Sequence, residues 1–219
     1  MGKLAVVLLT CTGVLCANAA SDRLKESAAV LQEIMATTDR SIPQDLLDKA
    51  HCMIVVPGMK KGAFIVGAKY GRGFMSCRNG RVGWSAPAGI RVEGGSVGFQ
   101  IGGSETDVIM LVLNQRGADK LFRSKFTLGG DASVAAGPVG RTTSAETDAL
   151  MHAEILSWSR TRGVFAGISL KGATLRPDQD ANIELYGKEI ENREIVNNAQ
   201  VPDAAEPLLA QLNKYSSRK

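Results

Sequence analysis

The stretch PGMKKGAFIVGAKYGRG, residues 57–73, combines three properties that together indicate a fold class. It is rich in glycine, it contains an alternating apolar run, and all of its charged residues are basic. Alternation with a period of two is typical of a β-strand. Repeated glycines inside strands mark bulges, tight bends or close backbone approach. The stretch therefore predicts a strongly bent sheet with basic residues near its turns.

The surrounding sequence predicts further strands. Residues 53–56 read as a buried strand closed by Pro57 and Gly58, and the alternation over residues 63–70 predicts the next strand. Residues 108–113 form a fully apolar run, and residues 153–175 read as a hairpin. Local connections of this kind favour antiparallel pairing.

Helical patterns lie at the two ends of the chain. Residues 22–38 carry apolar side chains at helical spacing, residues 43–50 predict a second short helix, and Pro177 opens a helix that stops near Gly187. Residues 197–219 are polar with prolines and predict a flexible tail containing at most a loose helix. The expected fold is α+β, with N-terminal helices packed on a strongly bent, glycine-rich, mostly antiparallel sheet or partial barrel.

The first nineteen residues have the pattern of a secretory signal. A basic start at Lys3 precedes a short apolar run over residues 4–15, and Ala17-Asn18-Ala19 has the small-x-small pattern of a cleavage site. We expect removal of residues 1–19, one domain over residues 20–196, and an exported protein in the periplasm or cell envelope. A lipid-modified Cys16 is the alternative, although Leu15 is not the small residue that this modification needs.

Two cysteines lie outside the predicted signal, Cys52 and Cys77. An oxidising compartment permits them to pair. Spacing alone leaves a disulfide and two buried thiols open.

Charge is distributed unevenly along the chain. The formal net charge is only +4, yet no acid occurs between Asp48 and Glu93, where eight bases lie. Six of these bases fall at expected strand ends and turns, so we expect them to gather on one rim with no carboxylate nearby: Lys60, Lys61, Lys69, Arg72, Arg78 and Arg81. Such a rim suits phosphate headgroups. A merely solvated face is the alternative.

Other chemistry has weak support. Gly94 to Gly98 matches the G-x-S-x-G pattern of serine hydrolases, but the residues after Ser96 cannot form the helix that this motif needs. Asp178, Asp180 and Asn182 resemble the start of a calcium loop that lacks its glycine. We expect no catalytic residue, metal site, cofactor or nucleic-acid partner.

Seven motifs in order resemble the SYLF domain family over about residues 24–190. They are VVPGMKKGAFIVGAKYGRG (55–73), CRNGRVGWSAPA (77–88), GGSVGFQIGG (94–103), TDVIMLVLN (106–114), KFTLGGDASVAAGPVGR (125–141), SRTRGVFAGISLKGATL (159–175) and NIELYG (182–187). The resemblance implies binding of phosphoinositides and other acidic phospholipids through basic residues and an N-terminal amphipathic helix. Actin is a partner implied by the resemblance alone, and no catalytic residue is implied. The predicted signal makes the chain similar to the small exported bacterial members.

The sequence therefore predicts a non-catalytic protein that binds acidic phospholipid headgroups at a membrane surface through its basic rim. An envelope structural or protein-interaction module without lipid specificity is the first alternative. A serine hydrolase acting through Ser96 is a remote one.

Overall fold

The computed structural model describes residues 19–37, 41–63, 66–78, 83–97, 102–139, 152–161 and 164–216. In these residues the helices are α1 (Ala19–Ala36), α2 (Gln44–Lys49), α3 (Gln115–Leu121), α4 (Gln179–Tyr186), α5 (Asn192–Asn198) and α6 (Glu206–Tyr215), with a 3-10 turn at Asp203–Ala205. The strands are β1 (Cys52–Ala63), β2 (Val66–Cys77), β3 (Ala88–Val97), β4 (Gly102–Val112), β5 (Phe126–Thr127), β6 (Val134–Ala136), β7 (Ile155–Thr161), β8 (Val164–Gly167) and β9 (Thr174–Pro177).

The strands form one curled sheet, a half-barrel, in the order β5-β9-β3-β2-β1-β4-β7-β6, with β8 added on β7. Among the described strand pairs only β6 with β7 is parallel. The α+β class and the bent, mostly antiparallel sheet are confirmed. No helix in the described part of the chain is long and apolar enough to cross a membrane.

The bend in β1 lies at Pro57 and Gly58. The pairing of β1 with both neighbouring strands shifts register there, which marks a β-bulge. Gly58 has φ of +57°, which a side chain would disfavour, and its N–H donates to Asp107 Oδ1 at 2.9 Å. The predicted break at Pro57 was wrong: β1 continues through the bulge to Ala63. The strand expected over residues 63–70 is split between the end of β1 and the start of β2.

Each face of the sheet carries its own core. The first face packs its side chains, including Val56, Met59 and Met110, against α3 and α5. The second face packs side chains such as Phe74 and Trp158 against α1, α2 and α6. Because strand side chains alternate between faces, a residue's position in its strand fixes which core or surface it joins.

The C-terminal segment is not the flexible tail that the sequence predicted. Helix α6 buries Leu208, Leu209 and Leu212 in the core that it shares with α1. The Ser216 hydroxyl donates to the Leu47 carbonyl oxygen at 2.7 Å, which joins the end of α6 to α2. The segment completes the core of the second face.

Candidate functional site

Three lysines lie near the adjoining ends of β1 and β2, and we refer to Lys60, Lys61 and Lys69 as the lysine rim. Lys61 lies directly opposite Lys69 in the antiparallel register. Burial lowers the pKa of Lys61, and the charge of Lys69 lowers it further. Like charges directly opposite one another destabilise a strand pair. The rim therefore holds two ammonium groups together at a cost to stability.

The lysines of the rim point to different sides of the sheet. Lys61 follows the buried Met59 by two residues, so it lies with Lys69 on the first face, at the end of the core of that face. Lys60 is exposed on the second face, opposite Tyr70 on β2 and Glu105 on β4. The rim thus presents cations on both sides of one hairpin end.

The rim lysines have no salt bridge to any residue that the structure describes. Lys60 is exposed, and Lys61 and Lys69 are half-buried, so solvent reaches all three. Their positive charge is available to an anionic surface.

Arg72 does not belong to this group. Its Nε lies 2.5 Å from Asp178 Oδ2 and its Nη2 lies 2.6 Å from Oδ1, a two-point ion pair. A second carboxylate, that of Asp180, lies 3.7 Å from Nη2. The expectation that Arg72 would lack a nearby carboxylate was wrong, because the start of α4 brings Asp178 and Asp180 to β2.

Arg78 lies at the other end of β2. It lies nine positions after Lys69 in the sequence, about 30 Å along a strand. Its guanidinium carbon lies 4.2 Å from the centroid of the Trp84 ring, and its Nη2 donates to the Ser216 hydroxyl at 2.5 Å. Arg78 therefore helps to dock the C-terminal segment.

Arg81 lies outside the described residues, so the structure brings together three of the six predicted bases.

A cavity of about 640 Å³ lies between α1 and the β1 bulge and is mainly acidic. Its charged lining residues are Glu26, Glu33, Glu105, Asp107 and Arg160. Arg160 is held by Asp107, at 2.7 Å, and by Glu33. Burial raises the pKa of Asp107, and the neighbouring Glu105 adds to this effect. An acid-lined cavity is unsuited to a phosphate headgroup, so it is not the predicted lipid site.

A second cationic surface, which the sequence analysis missed, lies between α3 and α5. A cavity of about 600 Å³ is lined by Arg116, Asp119, Lys120, Phe122, Arg123 and Arg193. Lys120 is neutralised by Glu154 at 3.1 Å, and Arg193 stacks on Phe122 with 4.8 Å to the ring centroid. The spacing of residues 116, 120 and 123 is that of one helix face and could have revealed it. Arg193 lies 70 positions after Arg123, so nothing in the sequence groups it with the bases of α3.

The two weaker sequence motifs have structural roles. The backbone of Ser96 lies in β3 opposite Gly67, not in the strand-to-helix turn of a hydrolase nucleophile. The Asn182 side chain accepts from Gly89 N–H at 2.7 Å and donates to Asn192, so with Asp178 bound to Arg72 the supposed calcium ligands are occupied. The described residues contain no group of three or more side chains suited to a metal.

Comparison with known proteins identifies the family. The family model of Ysc84, described as a Las17-binding protein and actin regulator, matches residues 93–215. The chain belongs to the Ysc84 family. This agrees with the SYLF resemblance, since SYLF is the domain of the YSC84-like proteins. The family match begins after the lysine rim, so it does not depend on the rim lysines.

Several eukaryotic members of the Ysc84 family are similar to this chain. It is 36% identical to SH3 domain-containing protein PJ696.02 of Schizosaccharomyces pombe over 177 residues, 78% of this chain and 41% of that protein. It is 32% identical to Protein YSC84 of Saccharomyces cerevisiae over 84% of this chain and 41% of that protein. It is 31% identical to SH3 domain-containing YSC84-like protein 1 of Mus musculus over 89% of this chain and 59% of that protein. The chain thus spans about 41% to 59% of the length of these relatives.

Proposed function

We propose that this Ysc84-family chain binds membranes that contain anionic phospholipids and that the lysine rim is the contact surface. The observation that carries the proposal is the pair Lys61 and Lys69, which lie directly opposite each other without a carboxylate partner among the described residues. A negatively charged membrane would relieve the repulsion between them. The binding is non-catalytic and needs no enclosed pocket.

The strength of this attachment follows from the number of lysines. Each base near an anionic surface contributes about 1 kcal/mol. Three lysines therefore give weak, reversible attachment, weaker than the six bases expected from the sequence would give. Screening beyond about 8 Å at physiological ionic strength makes the binding salt-sensitive. Because the attraction depends on surface charge, phosphatidylglycerol and phosphatidylinositol should bind equally at equal surface charge.

Vesicle sedimentation tests the proposal with charge-matched variants. Lys61→Gln with Lys69→Gln removes two charges from the rim and should weaken binding to phosphatidylglycerol vesicles about 30-fold. Arg116→Gln with Arg123→Gln removes the same charge from the α3–α5 surface and should leave binding nearly unchanged. If the second variant loses as much binding as the first, the membrane contact is not the lysine rim.

The salt series gives an independent check. Wild-type binding should fall steeply between low salt and about 0.15 M, and vesicles of phosphatidylcholine alone should not bind. Equal binding to neutral and anionic vesicles would overturn the proposal. Binding to neither would favour a protein-interaction module of the envelope.

Regulation of actin is a second candidate function, because the matching family is described as an actin regulator. Co-sedimentation with actin filaments tests it directly. Binding of the wild type to filaments that survives Lys61→Gln with Lys69→Gln would assign actin to a surface other than the rim.

The compartment in which the protein works determines whether it meets membrane lipids or actin filaments. We propose that the chain is exported, on the basis of the predicted signal over residues 1–19. The disulfide between Cys52 and Cys77 agrees with an oxidising compartment. An exported protein meets membrane lipid rather than actin filaments, so export favours the lipid proposal.

A further inference from the structure

A hydrogen bond from the start of α1 to a side chain of α4 joins the two helices. Ala20 is fully buried, and its backbone nitrogen donates to Glu184 Oε1 at 2.7 Å. The two residues are 164 positions apart in the chain. A backbone amide is a neutral donor, so this contact pairs a carboxylate with an uncharged group.

Glu184 is a half-buried carboxylate without a cation. It forms no ion pair with any described residue, and the Ala20 amide is its hydrogen-bond donor. Arg23 on α1 and Lys188 after α4 are close in sequence to the two ends of the contact, yet neither pairs with Glu184. An ammonium group at the position of the amide would give this carboxylate a charged donor in place of a neutral one.

The sequence places a cleavage site at the same position. Ala17-Asn18-Ala19 has the small-x-small pattern after which a signal peptidase cuts. Hydrolysis of the bond between Ala19 and Ala20 consumes one water. It leaves a carboxylate on Ala19 and an amine on Ala20, which takes up a proton to become an ammonium group.

We propose that cleavage after Ala19 creates the cation that Glu184 lacks. The new N-terminal ammonium group of Ala20 forms a half-buried ion pair with Glu184, and this pair holds α1 against α4. Charge-assisted hydrogen bonds are about twice as strong as neutral ones. Since Ala20 is buried in the folded chain, cleavage precedes folding, as it does for a chain crossing a membrane. The proposal depends on export and not on lipid binding, so either can fail alone.

The ion pair gives stability a defined pH dependence. An α-amino group in an unfolded chain has a pKa of about 7.7–8.0, and a carboxylate partner raises this pKa in the folded state. The added stability is therefore complete below about pH 7.7 and is lost as pH rises through the higher folded pKa. Other charged groups on the surrounding elements also affect how stability depends on pH, but they are present in both the cleaved and the uncleaved protein. Their contribution therefore cancels when the two forms are compared. These groups are Asp22, Arg23, Asp180, Asp203 and Glu206.

The experiment compares exported protein with an uncleaved form. The full chain is expressed with its own N-terminus, and mass spectrometry of the exported protein should show Ala20 as its first residue. Ala17→Leu with Ala19→Leu blocks cleavage and provides the uncleaved form. Glu184→Gln should lower the Tm of the processed protein by about 2–4 °C at pH 6.5 and by less than half of that at pH 10.

The controls separate an ion pair from general packing. In the uncleaved form, Glu184→Gln should change Tm little at either pH. Glu189→Gln, in the exposed connection after α4, should change Tm little in both forms. A mature terminus at another residue, or an equal effect of Glu184→Gln in both forms, would overturn the proposal.

Discussion

Arg72 and Asp178 are joined at two points, Nε to Oδ2 at 2.5 Å and Nη2 to Oδ1 at 2.6 Å. The pair connects the middle of β2 to the residue that precedes α4. Asp178 is 1% exposed at its side chain and Arg72 is 27% exposed. The hydrogen bond to Asp178 raises the pKa of Arg72. The arginine is therefore a structural cation of the second face.

The unequal burial of this pair predicts unequal effects of removing its two members. Arg72→Ala leaves the buried Asp178 carboxylate without its partner and should cost about 3–5 kcal/mol. Asp178→Ala should cost less, because Arg72 is partly solvated and retains Asp180 at 3.7 Å. Urea unfolding of both variants measures the order, and a larger loss for Asp178→Ala would contradict this interpretation.

The disulfide should supply much of the stability of the β1–β2 hairpin. Cys52 and Cys77 are cross-strand partners with Cα atoms 3.9 Å apart and form a disulfide, one of the two possibilities that their spacing left open. The bond closes a loop of 25 residues, for which chain entropy predicts about 3.5 kcal/mol. Cys52→Ala with Cys77→Ala should lower the unfolding free energy by about this amount. A reductant should shift the wild type toward the variant and leave the variant unchanged.

Gly73 should tolerate no side chain. A Cβ at this position would overlap the backbone carbonyl of Val55 and the Cα of Val56 on the neighbouring strand. Backbone atoms in the centre of a sheet cannot move aside cheaply, so Gly73→Ala should cost at least about 3 kcal/mol. Gly130→Ala is the matched control, because a Cβ there meets its nearest neighbours at 3.6 Å, an ordinary contact. Similar stability losses for both variants would contradict the role of Gly73.

Helix α6 should be part of the cooperative fold. Leu212 is buried against the core of the second face, whereas Asn213 beside it is exposed. Leu212→Ala should cost about 2–5 kcal/mol and Asn213→Ala little. Thermal unfolding of the two variants distinguishes a packed helix from the tail expected from the sequence, for which both changes would be neutral.

The sequence predicted what local patterns determine. Alternation in β-strands, helical spacing in α1 and the hairpin of β7 and β8 depend on neighbouring residues, and all three appear in the structure. The continuation of β1 through Pro57 was missed because Asp107, 49 residues away, holds the Gly58 amide. A proline and glycine pair normally ends a strand, and here a distant carboxylate overrides that preference.

The site was only half predictable for a related reason. The grouping of Lys60, Lys61 and Lys69 follows from one hairpin and could be expected. The partner of Arg72 lies 106 residues away, and the partner of Arg78 lies 138 residues away at Ser216. Charge counts along a chain do not show which bases tertiary contacts will neutralise or bury.

Removing the charge of Lys61 from the Lys61–Lys69 pair should stabilise the fold. Burial and Lys69 lower the folded pKa of Lys61 below its usual value, so the folded chain holds its proton less tightly than the unfolded chain does. For a base with a lowered pKa, the cost to stability is complete below the folded pKa and disappears as pH rises through the unfolded value of about 10.4. Lys61→Gln should therefore raise the unfolding free energy at pH 7 by a few tenths of a kcal/mol, and the gain should shrink toward pH 10.5.

Lys188→Gln, in the exposed connection between α4 and α5, controls for the loss of one positive charge. If Lys61→Gln is more stable but binds vesicles less well, the native lysines lower the stability of the fold and are needed for binding, a combination that is common at binding sites. A loss of stability at pH 7 would show instead that the lysine pair is part of the structural framework.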